Sequence, residues 1–520
     1  MATHHAKYGF DDDFFHDLAG WSSRASRCHY PTDEQAQTPA SIDPSPNPHL
    51  PDFDPSDFKP HQRIDNPYSP VIRGTVYNYA KLPEEDGDET EWNDVFSTFE
   101  SKMVDGVKTH VVRDTAYVNG VLVEDTLDYY AQDKYGNVWY FGEDTYAFEY
   151  DDDGNFIGTS TEGGWIANGV DAFPGYIMPT REVLEALGNG YYQEFAPGVA
   201  EDQADLVTFK GTADIDIGFF KDVLQTLDTT QIEPTAREFK KYEPGVGLVV
   251  AEELNADGEV EGLEQLTGIR LLKEHGIRHE LFKDRCDPDL KDLIERDIGV
   301  EDFEQPELRD FRRPGSEVHV TWLGGDTDSE NAMGFYTFDR KTGLIDDVEL
   351  LFPDPEDLKA GDEFVIDLDK GEGYGLFLIP NAGEIGLDLS QFEDGGLEFR
   401  NFLTGGQASI YDRMATQVVA EDGTVLPIPV FHALDVNTHD DWNLLNPAGG
   451  IQAVELESDA LEDSPLDDKA DMLGFEDMFA GDPEYEADFD DAVVAVSRVS
   501  LPTQLVANLT EELGVAAAAI

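Results

Sequence analysis

Alternating apolar and polar residues form short runs along most of this chain from residue 64 onwards. Between 64 and 271 these runs are rich in Val, Tyr, Phe and Trp, as in THVVRDTAYV and VLVEDTLDYYAQD. Turn signals separate them at Asp105-Gly106, Asn119-Gly120, Asp153-Gly154 and in NADGEV (255–260). This spacing predicts antiparallel hairpins over 64–271, interrupted by one helix in TREVLEALG.

Strand signals return between 315 and 499, in EVHVTWL, GFYTFDRKTGLIDDVELLF, DEFVIDL and GYGLFLIPN. Turns recur there roughly every 8–12 residues, which is typical of a β-sandwich. We therefore predict a mainly β fold with two antiparallel β-rich domains, the N-terminal β-region (64–271) and the C-terminal β-region (315–499), of which the second is a sandwich.

Three segments lack this pattern. Residues 1–63 are rich in Pro, Asp and Ser, which predicts an irregular arm that is disordered or lies extended on a domain. Residues 272–314 form a charged linker, in which Asp287 and Pro288 begin a short predicted helix. Residues 500–520 form a weakly amphipathic C-terminal tail that ends in VAAAAI.

Charge narrows the set of partners. The chain has 110 acidic and 35 basic residues, a formal net charge of -75. This sign disfavours nucleic acid and anionic membranes as partners and favours cations. Two environments fit it, a calcium-rich cell exterior and the salt-rich cytoplasm of a halophile, and composition does not choose between them.

Cysteine content and hydropathy set further limits. The two cysteines, Cys28 and Cys286, exclude a disulfide scaffold and leave open one bond or two free thiols. No apolar run reaches the roughly 18–20 residues of a membrane span, so none is expected. The start of the sequence lacks the pattern of a standard signal peptide, so we expect a cytoplasmic protein or export by another route, such as type I secretion.

The richest candidate chemistry lies in GFEDMFAGDPEYEADFDDAVVAVS, the acidic segment (474–497). Calcium takes six to eight oxygen ligands on a bent loop, and carboxylates brought together without a cation repel one another. The segment offers Glu476, Asp477, Asp482, Asp488, Asp490 and Asp491. A calcium cage, a solvated acidic loop and a catalytic cluster all stay open from the pattern. Strand alternation predicts that Asp488 and Asp490 share one face.

The same segment resembles the C-terminal signature of the DUF4114 domain family, a GFED group, a glycine-containing loop, an acidic group and an apolar strand. Asp490 stands where that family usually has Asn, and PEYEA lengthens the loop. GFYTFDRKTGLIDDVELLFPDP, AGDEFVIDL and YGLFLIPN resemble its earlier strands, so the likeness covers about 315–499. It implies a calcium-binding β-sandwich of the kind found in secreted or surface-attached bacterial proteins, including adhesins.

The N-terminal β-region resembles a widespread uncharacterised β-rich domain of secreted and lipid-anchored bacterial proteins, through IDNPYSPVIRGTVYNY, VEDTLDYYAQDKYGNVWYFGEDT and GYYQEFAPGVAEDQA. The resemblance implies no known activity. Acidic and aromatic residues alternate in it, namely Glu124, Asp125, Asp128, Tyr129, Tyr130, Asp133, Trp139, Tyr140, Glu143, Asp144, Tyr191, Tyr192, Glu194, Glu201 and Asp202. A sheet with an aromatic core and a charged outer face is the favoured interpretation, ahead of a glycan-binding cleft or a glycosidase carboxylate pair.

Two weaker motifs favour no site. HGIRHE places His275 and His279 at helical spacing but lacks the Glu that a zinc protease needs after the first His. YDDDGNF (150–156) has acidic spacing like an EF-hand loop, but Phe156 stands where that loop requires Gly, so a hairpin turn is predicted.

Together these patterns predict a secreted or cell-surface calcium-binding protein that acts by binding, in adhesion or in attachment to a glycan or matrix component. No catalytic residue is nominated, and oligomeric state is left open. An extracellular polysaccharide hydrolase with its site in 64–271 and an intracellular halophilic protein are the alternatives.

Overall fold

The computed structural model describes residues 44–60, 62–81, 90–151, 154–187, 190–215, 217–271, 306, 317–325, 331–352, 358–383, 385, 387, 389–392, 395–412, 416–434, 443, 445–447, 450–462, 464–466, 470–479 and 488–513. Cys28, Cys286, His275, His279, Asp482 and the helix predicted after Asp287 lie outside these residues. The described chain is mainly β, as predicted, and its sheets are antiparallel.

The N-terminal β-region contains fifteen strands in the described part of the chain. They are β1 (Thr75–Lys81), β2 (Glu91–Val104), β3 (Val107–Val118), β4 (Val121–Gln132), β5 (Val138–Tyr150), β6 (Phe156–Ser160), β7 (Trp165–Ile166), β8 (Phe173–Met178), β9 (Tyr191–Tyr192), β10 (Glu194–Phe195), β11 (Asp202–Ile215), β12 (Gly218–Thr230), β13 (Arg237–Glu243), β14 (Gly247–Leu254) and β15 (Val260–Leu271). The predicted helix is α1 (Arg181–Leu187).

These strands form one large sheet, in which β1 to β5 and β11 to β15 pair with their neighbours in sequence and β1 pairs with β15. The β2–β3 and β3–β4 turns have positive φ at Asp105, Gly106, Asn119 and Gly120. Two successive positive φ angles match the right-handed twist of the flanking strands, which is why these turn pairs give hairpins. The YDDDGNF turn is also a hairpin, between β5 and β6, with the Asp151 carboxylate accepting from Asn155 N at 2.9 Å.

The large sheet curls until its two ends nearly meet. β9 pairs with β11 at one end, and β10 pairs with β8 at the other. Only Gln193 separates β9 from β10, and its N–H donates to Asp202 O at 2.8 Å. One short segment therefore joins both ends, and the sheet approaches a closed barrel.

The C-terminal β-region has eleven further strands in the described residues. They are β16 (Glu317–Gly324), β17 (Ala332–Asp339), β18 (Ile345–Phe352), β19 (Glu363–Asp367), β20 (Glu372–Ile379), β21 (Leu397–Asn401), β22 (Thr416–Ala420), β23 (Phe431–His432), β24 (Ala453–Leu456), β25 (Ala470–Phe475) and β26 (Ala492–Ser497). The helices α2 (Asp459–Glu462) and α3 (Thr503–Leu513) complete it.

Two sheets of this region share one core, in the order β19-β16-β26-β25-β24 and β18-β17-β20-β23. Val494 and Trp322 from the first sheet belong to the same buried cluster as Tyr336 and Phe377 from the second. The other face of β26 lies under α3, where Val493 and Ala495 pack with Leu509. Burial on both faces explains why β26 is continuously apolar instead of alternating.

The sandwich core continues into the N-terminal β-region. Trp92, Tyr117, Leu122 and Phe148 of the large sheet are buried in the same hydrophobic cluster as the strands of the sandwich. Thr159 Oγ1 also donates to Val425 O at 2.7 Å across this interface. The two β-regions are therefore packed together through apolar side chains.

The described part of the arm, 44–60, lies on the large sheet and contains one short 3-10 helix, Pro55–Asp57. Phe53 and Phe58 pack edge-on against Trp139 and Phe141, with ring centroids 5.5–5.9 Å apart. In the described part of the chain, no helix has both the length and the apolar character of a membrane crossing.

Candidate metal centre

The acidic segment gathers carboxylates at one end of the sandwich. Glu476 follows β25 directly and Asp491 precedes β26, and these strands pair antiparallel with Phe475 opposite Ala492. Oxygens of Glu476, Asp488 and Asp491, the carboxylate triad, lie within 4.8 Å of one another. Phe475 and Ala492 are paired, so the residues next to them, Glu476 and Asp491, must also be neighbours. The pairing of β25 with β26 therefore brings these two carboxylates together.

Backbone amides fix the triad. Asp477 N donates to Asp491 Oδ2 at 2.8 Å, and Glu476 accepts from Asp488 N and Met478 N, each at 3.2 Å. These three bonds use backbone N–H groups only. They orient the carboxylates but bring no positive charge to offset them.

Electrostatics disfavour full ionisation of the triad. Burial, then the charge of Asp491, raises the pKa of Glu476 well above its ordinary value. Burial and the neighbouring Asp477 raise the pKa of Asp491, and burial with Asp490 raises that of Asp488. No basic side chain of the described residues is a main cause of these three pKa shifts. A cation at this point would reverse these shifts.

A neutral oxygen donor lies against the same turn. Gln452 O accepts from Glu476 N at 3.1 Å, and Gln452 Nε2 donates to Met478 O. Gln452 is 1% exposed, and its Oε1 is buried without a hydrogen-bond partner in the described residues. An orphaned amide oxygen is costly to bury, and calcium readily accepts such oxygens as ligands.

The predicted cause of the proximity of Asp488 and Asp490, strand alternation, is wrong, although their two carboxylates do interact. Phe489 has a φ of 58° and is completely buried, so the chain turns at 488–491 and β26 begins only at Ala492. Strand alternation does not apply across a left-handed residue. Asp488 consequently joins Asp491, while Asp490 acts on Asp488 through its charge.

Gly474 is required by the same turn. A Cβ at Gly474 would lie 2.2 Å from Phe489 O, a distance that backbone atoms cannot accept. Asp477 has a separate role, because its Oδ2 accepts from Asn331 Nδ2 at 2.7 Å. Sequence reasoning missed Gln452 and Asn331, since a neutral amide far away in sequence carries no local signal.

A second group of acids, the acid–aromatic cluster, lies on the large sheet. The Tyr140 hydroxyl lies 2.6 Å from both Asp128 Oδ1 and Glu143 Oε2, and Trp165 Nε1 donates to Glu194 Oε2 at 2.6 Å. Burial, then Asp202, raises the pKa of Glu194 to about 9. Burial also raises the pKa values of Asp128 and Glu143.

The Tyr140 hydroxyl has one proton and can donate it to only one of the two carboxylates. Its oxygen can accept a hydrogen bond from the other acid when that acid is protonated. The tyrosine oxygen also occupies the space between the pair, where a glycosidase would place the bond it cleaves. The geometry therefore does not favour hydrolysis at Asp128 and Glu143.

Five of the other acids predicted in this region have structural partners. Asp125 pairs with Arg113 through two bonds of 2.7 and 2.8 Å, and Asp133 accepts from Tyr135 N, Asn137 N and Trp139 Nε1. Glu124 accepts from Thr126, Asp144 from Tyr129, and Glu201 from Gly198 N. Tyr129, Trp139 and Tyr191 are buried, as the predicted aromatic core requires. The predicted charged outer face is wrong for four of the acids, which are buried as well, namely Asp125, Asp128, Asp133 and Glu194.

Comparisons with known proteins leave the family open. No family model matches the chain, and no curated protein matches it. The chain is similar at 13% identity and a TM-score of 0.22 to a protein from Bacteroides fragilis described as exported and YmcC-like in fold, over 39% of this chain and 98% of that one. It is similar at 7% identity and a TM-score of 0.18 to the MucA/MucB complex of Pseudomonas aeruginosa, over 84% and 92% respectively. Likenesses this weak carry no conclusion about fold or function, and the resemblance to the DUF4114 family stays a prediction.

Proposed function

We propose that this chain is a calcium-binding protein of the cell exterior that acts by binding, with the ion held by the carboxylate triad. The supporting observation is the convergence of three carboxylate oxygens within 4.8 Å of one another. Glu476 is buried, Asp491 is half-buried and Asp488 is exposed, and like charges this close repel one another unless they take up protons or a cation.

The ligand set favours calcium over transition metals. Glu476, Asp488 and Asp491 are hard oxygen donors, and among the described residues this group contains no thiol or imidazole. The orphaned Gln452 oxygen, beside the same turn, would add a further oxygen donor. Calcium accepts carboxylates, amide oxygens and waters in flexible geometry, whereas zinc and copper prefer nitrogen and sulfur. The remaining positions would be filled by water or backbone carbonyls.

Location and partner belong to the same proposal. Export is supported by the resemblance of 315–499 to secreted and surface-attached proteins, and adhesion to a glycan or matrix component by that same resemblance. Fractionation of native cells tests location, because a halophilic cytoplasmic protein would be found in the soluble interior instead.

Thermal unfolding tests the ion. We expect calcium to raise Tm relative to a chelator, because a ligand that binds only the folded state stabilises it by RT ln(1 + [L]/Kd), about 2.7 kcal/mol at a hundred times Kd. Asp488→Ala with Asp491→Ala should remove this shift. The matched control is Asp346→Ala with Asp347→Ala, on the exposed face of β18, which should retain it. Equal curves with calcium and chelator for the wild type would contradict the proposal.

A further inference from the structure

The residues that carry the carboxylate triad also form part of the joint between the two β-regions. Three residues after Glu476, Phe479 is 3% exposed. Its ring lies 4.4 Å from that of Tyr117 and 6.0 Å from that of Trp92, both on the large sheet, measured between centroids. Phe479 also contacts Phe431 of the sandwich at 4.9 Å. The side chain of Phe479 therefore connects the turn that begins at Glu476 with the N-terminal β-region.

Hydrogen bonds lead from the triad towards the same interface by a second route. Asp477 N donates to Asp491 Oδ2, and Asp477 Oδ2 accepts from Asn331 Nδ2 at 2.7 Å. Asn331 Oδ1 accepts from Asn381 N at 3.1 Å. A Cβ placed on Gly120 would lie 2.9 Å from Asn381 Nδ2, so Asn381 lies directly against the β3–β4 turn of the large sheet.

We propose that cation binding at the carboxylate triad controls the joint between the two β-regions, with Phe479 as the coupling residue. This inference rests on the proposed function of the triad. With the cation bound, the 476–479 turn is held in the position that buries Phe479 against Tyr117. Without the cation, repulsion among the carboxylates displaces the turn, and Phe479 loses its site on the large sheet.

The coupling can be tested from the large sheet, because thermodynamic coupling is reciprocal. If calcium binding stabilises the contact between the two β-regions, then weakening that contact must lower the affinity for calcium. Calcium affinity is measured by titration calorimetry on the full chain and on Tyr117→Ala, a change in the β-region that lacks the triad. We expect Tyr117→Ala and Phe479→Ala each to weaken binding by about 5- to 100-fold. Phe479→Leu, which keeps an apolar side chain, should lose less.

The control is Phe53→Ala, which removes an aromatic ring of the arm from the large sheet, where Phe53 packs on Trp139 and Phe141 in a hydrophobic cluster that does not include Phe479. It should bind calcium with wild-type affinity. Wild-type affinity in a folded Tyr117→Ala protein would overturn the coupling while leaving the ion site intact. Absence of binding in the wild type would overturn the proposed function itself.

A distance measurement tests the joint directly. Spin labels are attached at Tyr135→Cys and Val365→Cys, exposed positions in the two β-regions, with Cys28→Ser and Cys286→Ser removing the native thiols. Calcium should narrow the distribution of label distances in the wild type and leave it broad in Phe479→Ala. A distribution that is equally narrow with calcium and with chelator would overturn the inference.

Discussion

The chain gathers carboxylates in two places, and the two places differ in the groups that hydrogen-bond to them. In the acid–aromatic cluster, the Tyr140 hydroxyl and the Trp165 indole hydrogen-bond to the acids directly, and burial raises the pKa values of these acids. In the carboxylate triad, the hydrogen bonds come from the backbone N–H groups of Asp477, Met478 and Asp488. The acids of the cluster thus meet polar side chains of the sheet, whereas Glu476 and Asp491 of the triad meet each other, where a proton or a cation relieves their repulsion.

Neutralising a member of the triad gives the largest expected difference between the two sites. Asp491→Asn should weaken calcium binding by about 100-fold or more, because a monodentate neutral oxygen replaces an anionic ligand. In chelator, the same change should leave Tm equal or higher, since it removes repulsion while keeping an acceptor for Asp477 N. Calorimetric titration and melting curves check both parts. Unchanged affinity would remove Asp491 from the site.

A Glu194 variant should isolate the share of the acid–aromatic cluster in the pH dependence of stability, because the raised pKa values of the triad give a slope of the same sign. Glu194 has its pKa raised from 4.5 to about 9 in the folded protein, so the folded state holds a proton that the unfolded state releases. Its contribution is therefore fully present below pH 4.5 and is lost as pH rises towards 9. In chelator, we expect the Tm of the wild type to be higher at pH 6 than at pH 8, by about 2–4 °C for each kcal/mol of unfolding free energy that is lost. Glu194→Gln should reduce this difference in Tm between the two pH values. An unchanged slope in Glu194→Gln would contradict this assignment.

The neutral side chain of Gln452 should contribute less to calcium affinity than the carboxylate of Asp491 does. Gln452→Leu removes the orphaned Oε1 and the hydrogen bond from Nε2 to Met478 O. We expect calcium affinity to fall by about 10-fold, the usual cost of losing a supporting group at a metal site. Gln452→Glu, which keeps an oxygen at this position, should bind calcium more tightly than Gln452→Leu. Equal affinities in the two variants would remove this side chain from the ligand set.

The smallest effect is expected where the acid is already neutral. At pH 7, Glu143 lies beside Asp128 and Tyr140 with a raised pKa, so Glu143→Gln resembles the protonated group it replaces. Calcium affinity and the calcium-dependent shift in Tm should both equal those of the wild type. A lost calcium response in Glu143→Gln would show that the two acidic sites are not independent.

The contrast also explains what could be predicted from the sequence. Hairpin turns were predictable because Asp105-Gly106 and Asn119-Gly120 have a local conformational preference that the sheet uses directly. Convergence of Glu476 with Asp491 was predictable in outline, because paired strands bring the two ends of a loop together. The partnership of Asp488 with Asp491 was not, since it depends on the left-handed Phe489, which the alternation rule excludes.

Long-range contacts explain the remaining gap. The contact of Phe479 with Tyr117 joins residues separated by most of the chain, and neither residue belongs to a motif that specifies the other. The same holds for the amide of Gln452 beside the 476–478 turn. Such partners follow from packing of whole sheets, so only the folded arrangement reveals them.

Calcium titration of the metal-free full chain, compared with Glu476→Gln, tests the central claim most directly. The titration is done in physiological salt with excess magnesium, so that weak association with the acidic surface is suppressed. The account predicts one calcium ion per wild-type chain that is absent from folded Glu476→Gln. Wild-type protein that binds no calcium, or a Glu476→Gln protein that binds the same ion with the same affinity, would contradict it.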